Sequence, residues 1–126
     1  MNKVFLVLDT NVLVSALINP NGKPASIFRR FIMGEFQLFL DERIFFEYQE
    51  VLNRPKFKFE PTRIAFTLSY IRSHSCFVAA PKIDIPFTDE KDRKYFEVAK
   101  FTGAILVIGN TKHYPDDPII KTVQDI

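Results

Sequence analysis

The chain has 126 residues, 47% of them hydrophobic, with 14 Phe, no Trp, one Cys and a formal net charge of +2. That length and apolar content exclude a disordered tail and fit a single domain, residues 1–126, with a real core in which the phenylalanines suggest an aromatic-rich interior. The weak positive charge permits nucleic-acid binding without demanding it, and a lone cysteine excludes an internal disulfide.

Residues 3–8 form an apolar, β-rich run, read as a central parallel strand buried on both faces. Residues 10–18 read as a short helix, ended by the turn cluster Asn19-Pro20-Asn21-Gly22. Pro24 suits the first turn of a second helix over 24–33, closed near Gly34. Phe36 to Leu40 is a second strand, and Asp41 caps a third helix over 42–53, which Pro55 ends. Pro61 opens a fourth helix over 61–74, with His74 near its end favouring the dipole. Cys76 to Ala79 is a short strand in which Cys76 reads as a small hydrophobe. A proline-punctuated loop spans Pro81 to Pro86, and Thr88 or Asp89 caps a fifth helix over 90–101, ended by Gly103. Ala104 to Ile108 is another buried strand, His113 to Pro118 a loop, and Ile119-Ile120 the start of an edge strand. Strands alternating with helices predict a parallel sheet covered on both faces. No apolar stretch approaches the roughly 20 residues of a membrane helix. The N-terminal apolar run is too short for a signal peptide, so a soluble cytoplasmic protein is expected.

Three carboxylates stand where burying a charge needs a reason. Asp9 ends the first strand, and in open α/β sheets ligands bind beyond the carboxyl ends of strands. Asn110 holds the same place after the Ala104–Ile108 strand. Glu47 flanks the arc of Ile44, Phe45, Tyr48, Val51 and Leu52 and is better placed than Glu42 or Glu50 to reach a cleft. Asp92 precedes Tyr95, Phe96 and Ala99 at i+3, i+4 and i+7, in line with a buried face, with Asp89 close by. Plain alternatives exist for each: Asp9 as a helix cap, Glu47 as an edge residue with its head in water, Asp89 and Asp92 as a capping pair. Ionised carboxylates away from water are costly unless paired or bound to metal, and a divalent cation is the simplest resolution for three that converge.

Four blocks carry a further signal: Leu8-Asp9-Thr10-Asn11-Val12 running on to Leu17; Glu47-Tyr48-Gln49-Glu50-Val51-Leu52 running on to Phe57; Asp89-Glu90-Lys91-Asp92 with the helix to Gly103; and Gly109-Asn110-Thr111-Lys112-His113-Tyr114-Pro115. In these blocks the chain resembles the PIN-domain family, in particular its single-domain prokaryotic branch of toxin–antitoxin toxins, the VapC-like ribonucleases. The resemblance implies a three-layer α/β/α sandwich with a central, mostly parallel sheet. It also implies a ribonuclease dependent on Mg²⁺ or Mn²⁺, with RNA as substrate, a separate antitoxin protein and a possible homodimer. Asp9, Glu47 and Asp92 fall on its acidic positions, with Asp89 accompanying. The fourth position, Asp in many relatives, is Asn110 here, and an uncharged amide binds Mg²⁺ less strongly. Little chain follows Ile120 to form a closing segment.

The chemistry is compatible with that set, since Mg²⁺ and Mn²⁺ prefer oxygen ligands. Arg54, Lys56 and Lys58, interleaved with Phe57 and Phe59, form the densest basic-aromatic stretch, suited to single-stranded RNA or equally to a solvated helix end. Thr10 and Ser15 read more plainly as helix-start and packing residues, and His113 as a loop residue. The alternatives are a catalytically weak PIN-like module binding RNA or protein, which Asn110 keeps open, an aspartate-nucleophile phosphatase, which would want Asp at Asn11, and a receiver domain, which Lys112 matches only loosely.

Overall fold

A computed structural model describes residues 3–109 and 114–126. Among these residues five strands form one all-parallel sheet: β1 (Val4–Leu8), β2 (Phe36–Leu40), β3 (Cys76–Phe77), β4 (Ile105–Ile108) and β5 (Ile120–Thr122). Their order is β3-β2-β1-β4-β5, so the first strand is central, as its apolar run predicts. Among the described residues five α-helices accompany it: α1 (Thr10–Ile18), α2 (Lys23–Ile32), α3 (Glu42–Leu52), α4 (Pro61–His74) and α5 (Glu90–Thr102). Helix α5 lies against β1, β2 and β4, α1 touches β4, and α3 packs on α1, α4 and α5. This is the expected α/β sandwich.

Local chemistry sets the boundaries. Helices α1, α3 and α5 each begin at an aspartate whose side chain accepts a backbone N–H of the first turn: Asp9 from Asn11, Asp41 from Ile44 and Asp89 from Lys91. Pro24 and Pro61 stand in the first turns of α2 and α4, where a missing N–H costs nothing. Gly103 closes α5 at φ 74°, a left-handed conformation that a Cβ would strain. The strand predicted over 76–79 is shorter: Val78 still donates to the Leu40 carbonyl at 2.9 Å, but β2 ends there because Asp41 starts a helix, so Ala79 has no ladder partner.

The core differs from the aromatic-rich interior suggested by composition. It is mainly branched aliphatic, with Tyr48 and Tyr95 as its largest fully buried side chains. Only Phe31, Phe36 and Phe96 of the phenylalanines are buried, whereas Phe46, Phe66 and Phe101 are exposed. A sheet packed closely by helices is filled by Leu, Ile and Val from its strands, and many of the rings pair at the rim, as Phe5 does with Phe39 and Phe45 with Phe77. Cys76 is likewise exposed rather than packed, because β3 is an edge strand. No helix among the described residues is long and apolar enough to cross a membrane.

Candidate active site

The chain leaves β1 toward β2 on one side and returns through α5 to β4 on the other, so β1 and β4 flank a point where the strand order reverses. A crevice opens beyond the carboxyl ends of strands at such a point. Here it is a cavity of about 780 Å³ lined by Asp9, Glu47, Asp89 and Asp92, by Glu42 and Glu50, and by Arg43, Arg54, Lys56, Lys91 and Lys94, with Phe46 and Phe57 on its wall. All four predicted acids from the described residues thus face one space. Asn110 and His113 lie outside the described residues. Lys58 is not part of the lining, whereas Arg54 and Lys56 are. His74 stacks on the Tyr70 ring at the end of α4, away from this cavity.

Asp9 is the most buried of the acids lining the cavity, at 7% exposure. One oxygen accepts the Asn11 N–H at 2.9 Å and the other accepts the Tyr114 hydroxyl at 2.8 Å. It is therefore a helix cap and a cleft residue at once. Burial raises its pKa above the ordinary 3.8, and the two hydrogen bonds do not offset this; repulsion from Glu47 adds a smaller increment. Desolvation outweighs carboxylate crowding as the cause of this shift. Tyr114 is raised in turn, by burial first and then by the Asp9 charge.

Glu47 is answered from α5. Lys94 Nζ lies 2.8 Å from Oε1, and the Tyr95 hydroxyl donates to Oε2. Since Tyr95 donates there, the Thr10 hydroxyl beside it donates to Tyr95, linking the start of α1 to Glu47. Burial alone would raise the Glu47 carboxyl, but these donors, Lys94 foremost, bring it below its ordinary value. Tyr48, one residue on, is fully buried and donates to the Leu8 carbonyl at 2.5 Å, fixing α3 to the end of β1. Glu42 and Glu50 reach the same cavity but are exposed and paired with Arg72 and Arg54. Asp92 is half-buried in the first turn of α5, and Asp89 is the exposed cap before it.

Among the described residues no group of three His, Cys, Asp or Glu stands close enough to hold a metal ion. The acids share a cavity, and protein donors hold Asp9 and Glu47 in it. The donor set nonetheless suits one class of ion. The side chains available to an ion are carboxylates, with no imidazole or thiolate in the described lining, which fits a hard divalent cation such as Mg²⁺ or Mn²⁺.

Sequence reasoning missed Lys94, Arg43 and Lys91 as cleft residues, and Tyr95 and Tyr114 as the hydroxyls that bond Glu47 and Asp9. Tyr95 and Tyr114 stood in motif blocks but carried no role there. The pairings of Glu47 with α5 and of Asp9 with Tyr114 span some 48 and 105 positions, so no local pattern marks them.

A family model described as a PIN domain matches residues 5–112. An uncharacterized protein of Methanocaldococcus jannaschii, MJ1680, is 31% identical over 111 residues, which are 86% of this chain and 72% of that protein.

Proposed function

The chain belongs to the PIN-domain family, whose members act generally as nucleases, and on that premise we propose that it is a divalent-metal-dependent endoribonuclease. The observation that carries this reading is the single cavity beyond β1, where Asp9, Glu47, Asp89 and Asp92 meet Arg54, Lys56 and Lys91. Mg²⁺ or Mn²⁺ would be held by Asp9, Glu47 and Asp92, with weaker contributions from Asp89 and Asn110. When bound, the ion supplies Lewis acidity and a water of lowered pKa for attack on phosphorus. Arg54, Lys56 and Lys91, with Lys58 nearby in sequence, would hold the RNA backbone; Phe46 and Phe57 offer rings to unstacked bases. Tyr114 and the Asn11 N–H orient Asp9, and Tyr95 orients Glu47.

We further propose that the chain is the toxin of a cytoplasmic toxin–antitoxin pair, with a separate antitoxin protein as partner. The resemblance of the four motif blocks to that branch supports this. Induced expression should arrest growth of a bacterial host and Asp9→Asn should relieve the arrest; a harmless wild type would end the toxin role.

Attack by water leaves the RNA 2′-hydroxyl unused, so the products should carry a 5′-phosphate and a 3′-hydroxyl. End-labelled single-stranded RNA incubated with Mn²⁺ or with EDTA tests this. Cleavage that persists in EDTA and leaves 2′,3′-cyclic phosphates would overturn it. One observation favours a second reading, a module that binds RNA or protein without cutting: both Glu47 oxygens are engaged by α5. RNA binding without cleavage at any Mn²⁺ concentration would decide for it.

A further inference from the structure

Lys94 is an unusual lysine. Its side chain is only 14% exposed, although a long ammonium-tipped chain on a helix ordinarily reaches water. Its Nζ lies 2.8 Å from Glu47 Oε1 and also donates to the Lys91 carbonyl. The ammonium stands over the Tyr95 ring, 4.8 Å from its centroid. Tyr95, the next residue, takes the other Glu47 oxygen. Two consecutive residues of α5 therefore engage the whole Glu47 carboxylate, and the lysine's charge also acts on Asp9. Ordering so flexible a side chain costs conformational entropy, which a partner must offset. A half-buried carboxylate in a cavity lined by five further acids is such a partner.

We propose that Lys94 is a tethered counter-cation of the acid cleft: its ammonium neutralises Glu47 in the metal-free protein, and a divalent ion gains Glu47 only by displacing it. The inference rests on the metal-dependent reading above and deepens it. It accounts for acids that share a cavity yet do not stand as a preformed trio. It also makes Lys94 a positioning residue, acting through Glu47 and setting the divalent concentration at which the cleft loads.

The test is calorimetric titration of Mn²⁺ into metal-free protein at one fixed pH, for wild type, Lys94→Met, Lys94→Arg, Glu47→Gln and the Lys94→Met/Glu47→Gln double variant. Lys94→Met keeps much of the side-chain volume and removes the charge, and it should bind Mn²⁺ about tenfold more tightly than wild type. Lys94→Arg keeps the pair and should bind no more tightly than wild type. In the Glu47→Gln background the gain from Lys94→Met should shrink to a small residue, because the two positions are coupled. Lys94→Gln enters the same titration if the methionine variant does not fold. Equal affinity of wild type and the neutral variant would overturn the inference. So would an undiminished gain in the Glu47→Gln background, which would make Lys94 a contributor to the general potential of the cleft. A wild type that cuts RNA with Mn²⁺ while the neutral variant binds it no better ends this inference alone. Absence of Mn²⁺ binding in both proteins ends it together with the metal-dependent reading.

Discussion

Asp9 caps α1 and is proposed to hold the ion, and the two roles can be separated by substitution. Asparagine caps helices about as well as aspartate, so Asp9→Asn should keep α1 in place. It removes the charge the proposed chemistry needs, and cleavage should fall to background in the RNA assay while circular dichroism stays native. The raised Asp9 pKa adds a pH signature. The folded chain binds this proton more tightly than the unfolded one, so the stability it contributes is present below the ordinary 3.8. That stability is lost as pH rises through the raised folded value, above which the metal-free protein carries a buried charge. The stability of Asp9→Asn relative to wild type should therefore grow from acid pH toward neutrality in EDTA, as read by urea unfolding. A gap that is flat or shrinking with pH would show that Asp9 is not the titrating group. Asn110 invites the opposite substitution: Asn110→Asp should lower the Mn²⁺ concentration needed for half-maximal cleavage, and unchanged metal dependence would place this residue outside the ion's reach.

Helices α3 and α5 bring Glu47 to Lys94, in the cavity that Asp92 also lines, and one ion-pair network joins the two helices. Arg43 of α3 bonds its own cap Asp41 at 2.7 Å and Glu97 of α5 at 2.8 Å. Glu97 is 1% exposed, and its second oxygen accepts the Ile83 N–H at 2.8 Å. Arg93 of α5 donates to the Ile83 carbonyl at 2.5 Å, so both backbone groups of Ile83 are satisfied by side chains of one helix. The proline-punctuated segment 81–86 is thereby pinned to α5 at Ile83, while most of its residues stay exposed. Glu97→Ala would leave Arg43 without its partner on α5 and the Ile83 N–H unsatisfied. It should cost about 2–3 kcal/mol, less than a wholly buried pair because Arg43 is half exposed. Urea unfolding measures the loss, and a change within about 0.5 kcal/mol, the range of ordinary surface substitutions, would mean that water replaces the network.

For the molecule as a whole, a net charge of +2 understates the cleft, where acids and bases are concentrated together. RNA binding through Arg54, Lys56 and Lys91 should release counterions and weaken with salt. Lys56→Ala should weaken binding of any single-stranded RNA similarly and reduce the slope of log affinity against log salt by about 0.7. Fluorescence anisotropy with the Asp9→Asn protein, which leaves the RNA intact, gives both quantities; a sequence-dependent loss with an unchanged slope would assign Lys56 to base contacts instead.

The order of elements and the all-parallel sheet were legible in the chain because they rest on local chemistry. Apolar runs, aspartate caps, first-turn prolines and Gly103 mark boundaries within a few residues of themselves. Asp9 was legible as a cleft residue for the same reason, since a strand's carboxyl end fixes where its next residue points. Helical periodicity marked Glu47 and Asp92 as candidates with plain alternatives open, because it orients a side chain but names no partner. The partners were decided by the fold. Lys94 on Glu47, Tyr114 on Asp9 and Arg43 on Glu97 join segments that meet only once α3, α5 and the end of the chain pack around β1 and β4. The sequence supplied the acids and their chemistry, while packing decided that protein donors answer Asp9 and Glu47, because a charge removed from water pairs with whatever the fold brings within reach.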